Sequence, residues 1–381
     1  MKRLVWILVS IALFLGLLPL TAQAANLEVE AKSALLMDVA TGTILFEQNS
    51  HEALPPASVT KVMTMLLIME AIDSGKISWS DSVTTSEVAA AKGGSQVFLK
   101  VGESMSVEDM VKSIAVSSAN DCACAMAEHL AGSEETFVEA MNTRAKELGM
   151  NDTNFVNCTG LDDSEDAVNH KTSAHDIALM SRELLKNHSD ITKFTTIWMD
   201  SIRNGEFGLS NTNKMVRFYS GCTGLKTGFT QSAGYCLSAS AQREGLQLIA
   251  VVMGCETSQK RFAACKSMLD YGFANFALIQ PELPEQTSIP VKLGVTDSVN
   301  AVPGNKGQLL IDKSQKNLVT TEVALDEEVT APVSQGQRLG TMTIKAGDQI
   351  LKEIPMVAES GVEKITFWQM YKKLLRKICM K

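Results

Sequence analysis

The stretch Pro55-Pro-Ala-Ser58-Val-Thr-Lys61, running on to Ile72 through Val62-Met-Thr-Met-Leu-Leu-Ile-Met-Glu-Ala, decides how the rest of the chain is read. Paired prolines suit the threshold of a helix and not its interior, so a helix is predicted from Val59 to Ile72. It is apolar on nearly every face, as a helix buried inside a domain would be. Ser58 and Lys61 stand at i and i+3 and therefore share a face, one turn apart. A serine hydroxyl is a poor nucleophile until a base takes its proton, and a lysine in a dry pocket can lose enough basicity to serve. Alone the pattern says little, since ordinary composition supplies about one S-x-x-K in a chain this long.

Two further motifs follow in order. Ser106 reads as the N-cap of a helix with Val107, Met110, Val111 and Ile114 on one face, and helices are predicted again over 122–130 and 136–148, the latter stopped by Gly149. Ser118-Ala-Asn120 thus lies in a short connection between helices, where a loop can aim side chains into a cleft. Lys226-Thr227-Gly228 falls on the first of three short runs, 224–230, 234–241 and 246–253, which read as an antiparallel meander. Its glycine would let a ligand approach the backbone. Singly, these two motifs could be a helix cap and a surface strand. Together with Ser58 and Lys61 they could line one groove.

Outward from these motifs, Ser33-Ala-Leu-Leu-Met-Asp38 and Thr43-Ile-Leu-Phe46 form an opening hairpin, and 261–276 is predicted helical. Strands at both ends with helices between them imply an α+β domain, helices packed on an antiparallel sheet. From Pro281 the composition shifts: six of the nine prolines fall between 281 and 358, where no cysteine occurs. Short runs at 291–295, 309–311, 322–325 and 342–344 suggest a small all-β sandwich joined near residue 280. The expected division is 25–280, 281–358 and a tail over 359–381.

Lys2 and Arg3 precede an apolar run from Leu4 to Leu20 that ends at Ala22-Gln-Ala24, which reads as a secretory signal over 1–24; an uncleaved anchor is the alternative. Either places the bulk of the protein outside the cytoplasm. A 45% apolar and 20% charged composition argues for a folded globular chain, and a net charge of −8 argues against nucleic-acid binding. Eight cysteines without a C-x-x-C pair read as buried free thiols, with Cys222 and Cys236 close enough along the chain to meet across a hairpin. Five scattered histidines without H-E-x-x-H argue against a metal site, and no cofactor is expected.

The order S-x-x-K, S-x-N, K-T-G resembles that of the penicillin-binding proteins and class A β-lactamases. With Ser118-Ala-Asn120 in the middle, the chain resembles the low-molecular-mass penicillin-binding proteins that act as serine D-alanyl-D-alanine carboxypeptidases. The likeness runs through Pro56-Ala-Ser-Val-Thr-Lys61, Ala131-Gly-Ser-Glu-Glu-Thr-Phe137 and Gly224-Leu-Lys-Thr-Gly-Phe-Thr230 and covers residues 30 to 280. It implies a β-lactamase/transpeptidase-like domain whose Ser58 attacks the carbonyl between two D-alanines of a peptidoglycan pentapeptide. Lys61 would accept the proton, and Ser118 would relay one to the departing D-alanine. The N–H groups of Ser58 and Phe229 would make the oxyanion hole, and Asn120 would hold the substrate amide. Lys226 and Thr227 would receive the terminal carboxylate, with Arg261 as a further candidate, and Gly228 would lie beside them in the substrate-binding strand. β-Lactams would acylate the same serine. Cys158 stands where many relatives carry proline, and Cys122 and Cys124 replace the usual small residues.

A β-lactamase would need an E-x-x-L-N pentapeptide between 150 and 180, and none occurs. D,D-endopeptidase or transpeptidase action shares every motif, and a non-catalytic penicillin-binding protein would have kept the groove without turnover. The last twenty residues carry a local charge of +5 on a chain whose remainder, without the leader, is −15. Ile365, Trp368, Tyr371, Leu375 and Ile378 recur at helical steps there, so an amphipathic helix is expected to dock on an anionic membrane surface. A helix packed on the β-domain is the alternative.

Overall fold

Strand β1 (Ser33–Asp38) shows how the sheet divides the first domain: Leu35 and Met37 enter one core, Ala34 and Leu36 the other. Side chains alternate with a period of two, so a strand buried on both faces must be apolar at every step. This is a computed structural model, and it describes residues 27–280, 287–304 and 308–379; the expected leader lies outside them. β2 (Ile44–Gln48), β3 (Cys222–Thr230), β4 (Gly234–Arg243) and β5 (Leu246–Cys255) complete a five-stranded antiparallel sheet of order β2-β1-β5-β4-β3. In β5, Ile249, Val251 and Met253 continue the first core, while Leu248, Ala250 and Val252 continue the second.

Five helices cover the first face: α1 (Lys61–Asp73), α2 (Val107–Ser117), α3 (Asn120–Ala131), α4 (Glu134–Glu147) and α5 (Ala174–Asn187). Helix α1 buries Val62, Met63, Met65, Leu66, Ile68 and Met69, each contributing roughly 1.5–3 kcal/mol by leaving water. The Ser106 hydroxyl accepts the Asp109 N–H at 3.1 Å, the cap its sequence predicts. The Ser133 hydroxyl caps α4 in the same way, accepting from Thr136, so this helix begins two residues before the expected Thr136. Thr257 caps α6 (Ser258–Asn275), which packs on the second face and begins three residues earlier than expected.

Two expectations need correction. The first turn of the predicted helix at Val59 is a separate 3-10 turn, Ala57–Thr60, and the α-helix starts at Lys61. Backbone from two other segments presses on that turn and shapes it. The cysteines from Cys122 to Cys265 are free thiols, as expected, and Cys222 and Cys236 stand opposite Ala241 and Gly228 without meeting. The run 309–311 belongs to a strand outside the main sheet of the β-domain. As β9 (Leu309–Asp312) it pairs with β6 (Phe276–Ile279), which continues directly from α6, so this ladder ties the two domains together.

The C-terminal domain is otherwise all β, as expected. Its β7 (Ser288–Lys292), β8 (Ser298–Pro303), β10 (Val319–Leu325), β11 (Val329–Thr330), β12 (Arg338–Ala346) and β13 (Gln349–Ala358) form a ladder of order β10-β12-β13-β8-β7-β11 around a core that includes Ile289, Leu339, Ile344 and Ile354. Helix α7 (Phe367–Cys379) follows, with the N–H and hydroxyl of Thr366 both donating to Gln369 Oε1.

Candidate active site

Ser58 lies in the middle of the 3-10 turn, between Ala57 and Lys61, and the turn is built by its neighbours. Ala57 adopts φ +48°, a left-handed conformation that costs a non-glycine residue roughly 1–2 kcal/mol. Two glycines make room for it: a Cβ on Gly160 would fall 1.9 Å from the Ala57 carbonyl oxygen, and one on Gly228 2.6 Å from that of Pro56. Gly228 therefore leaves room for the protein's own turn around Ser58.

The Lys61 Nζ lies 3.0 Å from Ser58 Oγ and donates to the Thr159 carbonyl at 2.8 Å. The side chain is fully buried. Burial pushes its pKa down from 10.5 to about 7, against smaller opposing effects of Cys158 and Asp121. A neutral amine has two protons and one lone pair, so it can donate to Thr159 and still accept from Ser58. Asn157 wraps the loop that supplies this carbonyl: its Oδ1 accepts from the N–H groups of Thr159 and Gly160, at 3.1 and 2.6 Å. Below it, both the N–H and the thiol of Cys158 donate to Glu134 Oε1 at 3.2 Å. A proline at that position would have no N–H to give.

His170 reaches the same turn from the far end of the loop. Its Nδ1 accepts the Val156 N–H at 3.0 Å, so the other nitrogen carries the proton and donates to Thr60 Oγ1 at 2.8 Å; that hydroxyl donates to the Ala57 carbonyl. Burial, and then the proximity of Lys61, hold the His170 pKa down at about 4.

Ser118 caps the end of α2 in the left-handed conformation and α3 begins at Asn120, so Ser118 and Ala119 are the whole connection and Asn120 is the first residue of the next helix. Asn120 spends its Nδ2 on the Gly93 carbonyl at 2.7 Å, while its buried Oδ1 has no hydrogen-bond partner and is available as an acceptor. The carboxylate of Asp121 next to it receives the N–H groups of Val97 and Leu99, fixing the loop that faces the cleft.

β3 is an edge strand, so alternate backbone groups along Lys226-Thr-Gly-Phe229 have no strand beside them and could pair with an extended peptide. Lys226 is fully buried with Nζ on its neighbour's carbonyl, that of Thr227, at 3.0 Å. Burial holds its pKa well down, with Lys61 and Arg261 adding repulsion. Thr227 Oγ1 lies 2.6 Å from Thr212 Oγ1. Phe229 stacks on Tyr235 with ring centroids 4.3 Å apart. Arg261, at the start of α6, donates from Nη1 to the carbonyls of Gly228 and Cys236, at 2.9 and 3.3 Å. It props the K-T-G strand, and its charge lies close enough to Lys226 to depress it.

The motifs are thus brought together by the fold: a serine, a low-pKa lysine, an open amide oxygen and a cationic strand. Over residues 20–257 the sequence matches the D-alanyl-D-alanine carboxypeptidase family, peptidase S11, and over 282–364 the C-terminal domain of penicillin-binding protein 5. The chain belongs to the D-alanyl-D-alanine carboxypeptidase family. It is 43% identical to the D-alanyl-D-alanine carboxypeptidase DacF of Bacillus subtilis, with 93% of this chain and 91% of the relative aligned. Among solved structures it is similar to penicillin binding protein 5 from Haemophilus influenzae, with a TM-score of 0.75, 30% identity and coverage of 88% and 98% of the two chains. It is also similar to penicillin-binding protein D2 from Listeria monocytogenes in its ampicillin-bound form, with a TM-score of 0.59, 32% identity and coverage of 65% and 99%. Both the fold class and the enzyme class expected of the sequence, a serine-type D-Ala-D-Ala carboxypeptidase, are those of this family.

Residues that no motif marks also touch these groups or the segments that hold them: Thr159 through its carbonyl, Asn157, His170 and Thr212. Only Asn157-Cys-Thr-Gly160 has a local signal, the asparagine and glycine of a tight turn. Among the described residues, Glu70, Glu183 and His188 are the one group spaced for a metal ion, but Arg144 already bridges the two glutamates at 2.7 and 2.9 Å.

Proposed function

We propose that this carboxypeptidase trims the terminal D-alanine from peptidoglycan pentapeptides through an ester on Ser58. The observation that carries the reading is the 3.0 Å contact between Ser58 Oγ and a buried Lys61 whose pKa lies at about 7. Ser58 Oγ attacks the carbonyl carbon of the penultimate D-alanine as its proton passes to Lys61 Nζ. The oxyanion is received by the N–H groups of Ser58 and Phe229. Asn120 Oδ1 accepts the substrate amide N–H, and Lys226 and Thr227 hold the terminal carboxylate while Arg261 braces the strand from behind. The C–N bond breaks, and the departing amine takes a proton through Ser118. Water then attacks the ester, giving one proton to restore the Ser58 hydroxyl and leaving a shortened peptide.

β-Lactams present a carboxylate beside a strained amide and acylate the same serine. Ser58→Ala tests the assignment: it should retain the melting temperature, release no D-alanine from a peptide ending in D-Ala-D-Ala, and take up no fluorescent penicillin. Equal labelling of the alanine variant would refute it.

We also propose that the protein works on the outer face of the cytoplasmic membrane, exported by its leader and held peripherally by α7. In support of the anchor, Phe367 and Trp368 are 75% and 69% exposed, with Tyr371 and Leu375 also open to solvent. Lys373 pairs with Asp297 of the β-domain, which orients the helix without covering these aromatic side chains. Among the described residues no helix is long and apolar enough to cross a membrane.

A further inference from the structure

The K-T-G threonine has a companion. Thr227 Oγ1 lies 2.6 Å from Oγ1 of Thr212, which falls in Ser210-Asn-Thr-Asn213, just after the strand Phe207–Ser210. Thr212 is held in place by its own backbone and by the asparagines on either side of it. Asn211 is buried and donates from Nδ2 to the carbonyls of Ile197 and Thr195, at 2.7 and 3.3 Å. Its Oδ1 accepts the N–H of Asn213 at 2.8 Å, and Asn213 Oδ1, also buried, accepts that of Met215 at 3.1 Å. The N–H of Thr212 itself donates to the carbonyl of Val116 at 3.2 Å, two residues before Ser118. Two buried asparagines and a bond to the end of α2 thus fix a half-buried hydroxyl against the carboxylate-binding strand.

The direction of that contact matters. A threonine hydroxyl has one proton and two lone pairs. If Thr227 donated to Thr212, its proton would be spent and could not meet an anion. If Thr212 donates to Thr227, the Thr227 proton is free to point into the groove, and the bond it receives makes it a stronger donor. A carboxylate held beside Lys226 selects the second arrangement, because it can only accept.

We propose that Thr212 is a positioning residue for carboxylate recognition, donating to Thr227 so that the single Thr227 proton is committed to the terminal carboxylate. This rests on the reading of Lys226 and Thr227 as the carboxylate subsite.

The test compares acylation rate constants for benzylpenicillin, which has a free carboxylate, and for its methyl ester, which does not. The wild-type enzyme should prefer the acid. Thr212→Val, nearly isosteric, should slow the acid about five- to tenfold, the size of one hydrogen bond, and the ester less than about twofold. Thr212→Ala, with less bulk against Thr227, should show the same split, and Thr212→Ser should restore wild-type selectivity. In a Thr227→Val background, Thr212→Val should cost less than about a further twofold, since its effect passes through the missing hydroxyl. Equal losses for acid and ester, no loss at all, or a full loss in the Thr227→Val background would each overturn the proposal. A wild-type enzyme that does not distinguish acid from ester would instead overturn the carboxylate subsite itself, and this inference with it.

Discussion

The basicity of Lys61 makes the sharpest demand on the enzyme. A lysine with its ordinary pKa of 10.5 is a free amine in about one molecule in three thousand at pH 7, whereas one lowered to about 7 is free in about half. The gap corresponds to roughly 5 kcal/mol against the ammonium form, and its source is burial beside a single accepting carbonyl, that of Thr159. Since the base must be unprotonated to take the serine proton, acylation should rise with pH. The rise should be about tenfold per unit below the pKa and should level off above it, so that the rate at pH 5 is about a hundredth of the plateau. The assay is the pseudo-first-order uptake of a fluorescent penicillin from pH 5 to 9.5 at constant ionic strength, with the melting temperature followed in parallel. Lys61→Arg keeps the charge but supplies no free base, so its rate should collapse at every pH. A wild-type rate that keeps climbing to pH 9, or stays flat throughout, would refute the assignment of Lys61 as the base.

The remaining predictions test the frame around that pair. Gly228→Ala places a Cβ 2.6 Å from the Pro56 carbonyl oxygen and 3.1 Å from the Val59 nitrogen, so the nucleophile turn must move; penicillin acylation should fall about a hundredfold, while Gly208→Ala, with nothing within 4 Å, should stay within about twofold. His170 is held neutral, with its pKa reduced from 6.5 to about 4, so the unfolded chain binds the extra proton in that window and stability falls as pH drops through it. Thermal melts between pH 7 and 4 should therefore slope less in His170→Gln than in wild type, and identical slopes would argue against this role. Deleting residues 362–381 should release active enzyme from anionic vesicles in a sedimentation assay, and equal pelleting of the truncated form would place the anchor elsewhere.

The sheet, the helices that cover it and the order of the three motifs were legible because local rules governed them. Ser106 caps where its sequence says, and the meander over 222–255 falls where its short apolar runs and turns put it. The boundaries missed were those set by a single side chain, as when Ser133 and Thr257 start their helices two and three residues ahead of the apolar pattern. The β-domain was legible as a composition, yet its run 309–311 left the main sheet, because an edge presented by Phe276–Ile279 was there to pair with it. Nothing in the spacing of those residues could announce a partner thirty or more positions away.

What the sequence by itself determined was the chemistry on offer: a serine and a lysine one turn apart, a serine and asparagine at the junction of two helices, and a lysine, threonine and glycine in succession on a strand. Their identity as functional groups depends on residue type and short spacing, which a chain displays openly. Only the tertiary structure decided what those groups become. Lys61 has its pKa lowered to about 7 because burial strips water from its ammonium, and Ala57 holds a left-handed turn because Gly160 and Gly228 leave room beside it. Thr227 gains Thr212 because two buried asparagines fix that segment. Solvation, steric clearance and the direction of a hydrogen bond belong to the space around an atom, and segments about a hundred residues apart must close on one another before that space exists.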